Sequence, residues 1–292
     1  MISVPKPITI GRKTRAMIQL IRPELPASAG TCVIVGQVIA LGKLPPLSTA
    51  MLGFLLGFFL SASAMIFNDL FDLEVDRINA PQRPLPSGLL SQAEVIVFGA
   101  STALIALAGA WYIHPTVFVF SLLTWCLGFW YNWRLKAAGL WGNLIVSASV
   151  AMTFIMGGLS VGQSASPLVW IFGLIAFIFD LAEEIAGDAM DMAGDQKRSS
   201  KSIAIVYGQA RALRISGLLF MLVILLTFIP IIFGETGLGY LIPIGIMDLV
   251  ILFFTARLLK SLTPQEGHAA MRGLYISASL GLVAFILGTF LK

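Results

Sequence analysis

Nine stretches of about twenty residues, each nearly all apolar, decide what this chain can fold into. They run roughly over 22–42, 47–67, 92–113, 116–133, 141–161, 168–187, 212–233, 238–260 and 270–291. A helix of that length crosses the hydrocarbon of a bilayer. Inside lipid only helices and closed barrels satisfy their own backbone hydrogen bonds. Pro and Gly punctuate the joints at Pro45-Pro46, His114-Pro115, Gly162–Pro167 and Gly234–Gly239. Composition agrees: 12% of the residues are charged, against about 25% in a soluble domain. The expected fold is all-α: a polytopic membrane protein of nine transmembrane helices, one integral-membrane domain over 1–292. No apolar core precedes Ala16, so no cleavable signal peptide is expected. Cys32 and Cys126 lie inside spans without metal-site spacing and read as packing residues.

Basic residues set the orientation. With the N-terminus in the cytoplasm and nine alternating spans, 17 of the 19 lysines and arginines fall inside, all but Lys43 and Lys292. The C-terminus is then outside. The net charge of +4 follows from these inner loops and does not indicate nucleic-acid binding.

The acids are equally one-sided. Ten of fifteen lie in 69–76 and 180–195, both on the inner side. Asp69-x-x-Asp72-x-x-x-Asp76 has the spacing of Asp188-x-x-Asp191-x-x-x-Asp195, and Asp188 lies 119 residues after Asp69. Basic residues follow each copy, with Arg77 and Arg83 after the first and Lys197, Arg198 and Lys201 after the second. Residues at i, i+3 and i+7 share one helical face, within about 60°. In the second copy Asp180 and Glu184 extend that face upstream, within roughly 80° overall. Aligned carboxylates repel one another unless cations or protons intervene. Mg²⁺ takes carboxylate and phosphate oxygens together. Two acidic helix ends with cations beside them therefore suit a diphosphate held through Mg²⁺. Acids that merely mark the membrane boundary would not need matched register.

These residues carry a family resemblance. Asn68-Asp69-x-x-Asp72-x-x-x-Asp76-Arg77, then Asn79-x-Pro81-x-Arg83-Pro84-Leu85-Pro86-Ser87-Gly88, resembles the first signature of the UbiA superfamily of intramembrane prenyltransferases. Asp188-x-x-Asp191-x-x-Gly194-Asp195 resembles the second, Arg22-Pro23 the early Arg-Pro, and Tyr131 with Lys136 the element after the fourth span. The resemblance covers essentially the whole chain, with its Asp-rich motifs at 68–88 and 180–201. It implies nine helices around a central cavity, open laterally to lipid and capped by cytoplasmic loops. It also implies the reaction: an isoprenyl diphosphate loses pyrophosphate and alkylates a lipophilic acceptor, with Mg²⁺ as cofactor, two ions bridging the diphosphate. Many relatives in that family carry Arg-Glu-x-x-Lys-Asp around the second motif, whereas this chain reads Glu183-Glu184-Ile185-Ala186-Gly187-Asp188. Two cations are absent there, and Lys197, Arg198 or Lys201 stand near to replace them.

On this reading Asn68, Asp72, Asp76, Asp188, Asp191 and Asp195 are the expected metal or metal-water contacts. Asp69, Asp72 and Asp191 are the expected catalytic residues, Asp69 supporting the metal ligands or activating the acceptor. Arg22, Asn68, Arg77, Arg83, Tyr131, Lys136, Lys197 and Arg198 are the expected substrate-binding set. Phe67, Phe71, Trp130, Tyr131 and Trp133 could face the allylic cation, although tryptophans at span ends are ordinarily interfacial anchors. Asp248 is a lone acid in the eighth span, and His268 belongs to a basic inner loop.

The run Lys201–Gly208 resembles relatives that add geranylgeranyl to geranylgeranylglyceryl phosphate, the expected acceptor. An aromatic acceptor of the 4-hydroxybenzoate or dihydroxynaphthoate type is the alternative. A divalent-cation transporter is the alternative of another class, but it would need ionisable residues along the whole path. A phospholipid-headgroup transferase would need a DGxxAR-type motif, which is absent.

Overall fold

The structure, a computed structural model, describes residues 10–136, 138–192, 201–234 and 237–288. Among these every regular element is helical: α1 (Ile10–Ile21), α2 (Glu24–Leu41), α3 (Leu47–Phe71), α4 (Leu73–Asn79), α5 (Gln92–Ile113), α6 (Pro115–Trp130), a π-helical turn (Tyr131–Leu135), α7 (Leu140–Ser160), α8 (Pro167–Met190), α9 (Ile203–Tyr207), α10 (Gln209–Leu226), α11 (Ile229–Ile232), α12 (Leu238–Leu259) and α13 (Pro264–Gly288). They form two compact units, Met1–Thr31 with Met51–Trp133, and Cys32–Ala50 with Arg134–Lys292.

Each expected span falls on a helix, but six of these helices are long and apolar enough to cross a membrane: α2, α3, α5, α7, α10 continued through α11, and α12. The other three depart for local reasons. Helix α6 has only 16 residues before the π turn begins. Helix α8 carries Asp180, Glu183, Glu184 and Asp188 in its second half. Helix α13 opens with Glu266, His268 and Arg272, which shortens the apolar stretch among its described side chains.

In the first unit the short helix α1 is amphipathic. Its Ala16 and Leu20 are buried in a cluster with Ile66, Leu73, Leu85, Leu90 and Val95. That cluster joins the end of α3, the helix α4 and the start of α5 around the first acidic motif. Lys13, two turns before Leu20 on the same side of α1, pairs with Glu94 of α5. Ser91 and Glu94 form a reciprocal capping box at the start of α5.

In the second unit α2 and α7 cross through small residues. A Cβ on Gly36 would lie 2.1 Å from the Phe154 carbonyl oxygen, and one on Gly157 would lie 2.2 Å from that of Val33. Backbone carbonyls cannot move aside as side-chain tips do, so only glycine fits this crossing. Gln37, fully buried beside it, donates to Ser160 Oγ at 3.0 Å and to the Thr49 carbonyl at 3.1 Å. Gly157→Ala is therefore expected to lower stability by about 1–3 kcal/mol. Gly109→Ala, where a Cβ meets nothing within 4 Å, should not. Thermal unfolding in detergent compares the two.

Candidate active site

The first acidic motif spans the junction of α3 and α4. Asp72 occupies that junction, yet helical bonding continues through it, since its N–H donates to Asn68 O and the Asp76 N–H donates to Asp72 O. The shared face read from the spacing therefore survives the break. Asp69 and Asp76 are buried, only 3% and 6% exposed. A buried carboxylate needs a partner, and arginines from two loops supply it. Arg22 pairs with Asp69. Arg83 reaches Asp76 at 2.6 Å and Asp69 at 3.8 Å. Burial opposes the charge of Arg83, but its hydrogen bond to Asp76 and the attraction of Asp76, Asp69 and Asp72 outweigh this and raise its pKa.

Arg22 holds its position at a cost. It has φ of 51° between α1 and α2, the left-handed region that non-glycine residues rarely adopt. Pro23 follows and itself disfavours the right-handed helical conformation at Arg22. Strain of order 1–3 kcal/mol persists only where surroundings over-determine it. Here the ion pair with Asp69 is the evident constraint.

Asn68 is fixed from another side. Its amide donates to Asn132 Oδ1 at 2.9 Å, and Asn132 donates to the Ala64 carbonyl at 3.3 Å. Asn132 lies in the π turn with Tyr131, a kind of irregularity frequent at functional sites. Phe67 and Phe71 pack edge-to-face on Phe129, and Phe67 also on Trp125. Trp130 and Trp133 are half exposed, which fits the anchor reading.

The second motif is on α8 and its C-cap. Three neighbours hold its acids. Ser147 lies 2.9 Å from Asp180 Oδ2, and Asn143 donates to Asp188 Oδ2 at 2.8 Å. Ser147 and Asn143 are one turn apart on α7, and the acids they meet are about two turns apart on α8. Asp191, the C-cap, has His268 Nε2 at 3.1 Å. Among the described residues Glu183 and Glu184 have no ion pair. Gly139, at φ +61°, starts α7 where a Cβ would lie 2.0 Å from the Lys201 carbonyl oxygen. That contact brings the end of the second basic segment beside the Lys136 turn. Asp195, Lys197 and Arg198 lie outside the described residues.

Several expected roles thus receive a different local partner. Asp76, expected on metal, and Arg83, expected on substrate, face each other. Arg22, expected on substrate, faces Asp69. Arg77 forms an exposed pair with Glu74 at 2.8 Å. Sequence reasoning missed Asn132 as the support of Asn68, and Asn143, Ser147 and His268 as supports of the second motif's acids. The signal for the first three was a polar side chain inside an apolar run. His268 offered none beyond its neighbouring charges.

The donor set suits a hard cation: carboxylates and amide oxygens, with no cysteine among them. Among the described residues no three His, Cys, Asp or Glu side chains stand together as a finished metal cage. Mg²⁺ does not require one, since it keeps several waters and binds through one or two carboxylates plus phosphate oxygens. Asp72 in the first unit, and Asp188 and Asp191 in the second, are carboxylates of the type Mg²⁺ uses.

Residues 29–290 match the UbiA prenyltransferase family. The chain belongs to that family. It is 32% identical over 278 residues to the digeranylgeranylglyceryl phosphate synthase of Thermococcus kodakarensis, covering 95% of this chain and 99% of the relative. A solved chain from a structural and mechanistic study of digeranylgeranylglyceryl phosphate synthase in membranes superposes with TM-score 0.82 at 30% identity, covering 96% of this chain and 99% of that one. A UbiA homologue from Archaeoglobus fulgidus bound to GPP and Mg²⁺ shares the fold, with TM-score 0.71 at 19% identity over 94% of this chain and 99% of that one. This member of the UbiA family is therefore a prenyltransferase.

Arg22→Ala in this UbiA prenyltransferase leaves a buried carboxylate short of a charge, and removing one partner of such a pair costs about 3–5 kcal/mol. Arg77→Ala removes an exposed pair, expected to change stability by less than about 1 kcal/mol. Thermal unfolding of both variants, with Asp69→Asn closing the cycle on Arg22, checks the contrast.

Proposed function

We propose that this prenyltransferase makes an ether lipid, moving a geranylgeranyl group from its diphosphate to the free hydroxyl of geranylgeranylglyceryl phosphate. The observation that carries this is full-length identity of 30% or more to digeranylgeranylglyceryl phosphate synthases. The surplus of inner cations supports it too, because this acceptor bears a phosphate and aromatic acids of the quinone pathway do not. We further propose that α6, α8 and α13 also span the bilayer. The N-terminus and both acidic motifs then lie on the cytoplasmic side and the C-terminus outside.

In this reading Mg²⁺, two ions in the fullest form, supplies charge to the leaving pyrophosphate. Asn68, Asp72, Asp188, Asp191 and Asp195 would hold it; binding of the GPP-bound homologue to Mg²⁺ is the precedent. The chain's own residues do the rest. Arg22 and Arg83 neutralise Asp69 and Asp76, keeping the first motif ordered. Asn143 and Ser147 hold Asp188 and Asp180 in line. Lys136, Lys197 and Arg198 would meet the diphosphate as fixed charges. Phe67, Phe71 and Phe129 form an aromatic wall beside the first motif, suited to a prenyl chain and to developing positive charge. Lipid and apolar side chains keep water from that charge.

The test is product formation by purified protein supplied with labelled geranylgeranyl diphosphate and Mg²⁺. Geranylgeranylglyceryl phosphate, 4-hydroxybenzoate and dihydroxynaphthoate are offered separately. Transfer to the glyceryl phosphate is expected, with a loss of at least 100-fold in Asp72→Asn and Asp191→Asn, the scale of removing transition-state charge stabilisation. Transfer only to an aromatic acceptor would move the enzyme to quinone synthesis. Divalent-cation flux in liposomes without any transfer would overturn the enzyme reading.

A further inference from the structure

We infer that His268 is a positioning residue for Asp191, holding that carboxylate in the orientation in which it binds the metal-diphosphate complex. This rests on the reading above, in which Asp191 is a metal contact.

The argument starts with where Asp191 sits. It is the C-cap of α8, and its side chain is 62% exposed. Its fellow acids Asp180 and Asp188 face the buried residues Ser147 and Asn143. Asp191 is held instead from α13, whose first turns bring His268 to it.

That approach is built rather than casual. Gly267, next to His268, lies against Met190, next to Asp191. A Cβ on Gly267 would fall 1.9 Å from Met190 Sδ and 2.8 Å from its Cγ. The start of α13 thus rests directly on the end of α8. Thr263 and Glu266 fix that start, the Thr263 hydroxyl accepting from the Glu266 N–H at 3.3 Å while Glu266 accepts from the Leu262 N–H at 2.9 Å. His268 follows one turn into a helix whose beginning is pinned twice.

The contact also has a direction. An ionised carboxylate has no proton to give, so His268 Nε2 carries the hydrogen and donates to Asp191 Oδ1. A donor on one oxygen fixes the carboxylate plane and leaves the other oxygen for a cation. Partners of this kind around metal-ligating carboxylates are typically worth 10–100-fold in metal affinity or activity. A solvated histidine in a basic loop, the reading from sequence, would be worth nothing.

The experiment measures Mg²⁺-dependent binding of geranylgeranyl diphosphate to the full-length protein in detergent, without acceptor and without turnover. His268→Ala is expected to raise the Mg²⁺ concentration for half-maximal binding about 10-fold or more. His268→Gln, which keeps a donor at comparable reach, should recover most of it. The loss should also largely vanish in the Asp191→Asn background, since positioning has no value once its target is gone. That cycle decides the matter even where His268→Ala folds poorly, because a stability defect would persist in both backgrounds. Unchanged Mg²⁺ dependence in His268→Ala, beside a Mg²⁺-dependent wild type, overturns the role of His268 alone. A wild type that binds the diphosphate with no Mg²⁺ dependence overturns the metal reading and this inference with it.

Discussion

A carboxylate taken out of water must find a positive charge or hydrogen-bond donors, and this one requirement organises the described structure. Asp69 and Asp76 are nearly inaccessible at the end of an apolar helix. Arg22 and Arg83 meet them from loops far apart in sequence. To deliver Arg22 the chain accepts a left-handed backbone before a proline. To deliver Arg83 it lays the 80–90 segment over the α1–α5 cluster, burying Leu85 and Leu90. The loop that carries the long signature is therefore structural as well as chemical. Its arginine is a counter-charge, and its leucines hold it down.

The two acidic motifs meet the same requirement differently. Arginines meet the first, whereas Ser147, Asn143 and His268 meet the second. Neutral donors such as the Ser147 hydroxyl and the Asn143 amide orient a carboxylate without cancelling it. The basic residues from 197 to 201 follow the second motif in sequence.

Much of this was legible before any coordinates. Twenty-residue apolar runs carry the helices, because backbone groups in lipid have no other solvent. The repeated three-then-four spacing marks both ends of the chemistry, because helical periodicity converts spacing into a common face. Helix lengths were less legible. The π turn at Tyr131 shortens α6, and nothing in Tyr131-Asn132-Trp133 announces a change of hydrogen-bond period.

What the sequence by itself determined is the class of fold, the family and the residues that carry charge, since composition, periodicity and motif spacing are local properties of the chain. What only the tertiary structure decided is which charge meets which. Arg83 could have faced a substrate or Asp76, and His268 could have faced solvent or Asp191. Those choices depend on contacts between residues as distant as Arg22 and Asp69 or Asp191 and His268. Pairing across such distances is set by how helices pack, through close approaches such as Gly36 on Phe154 and Gly267 on Met190. The spacing of one segment holds no record of the segment it will touch.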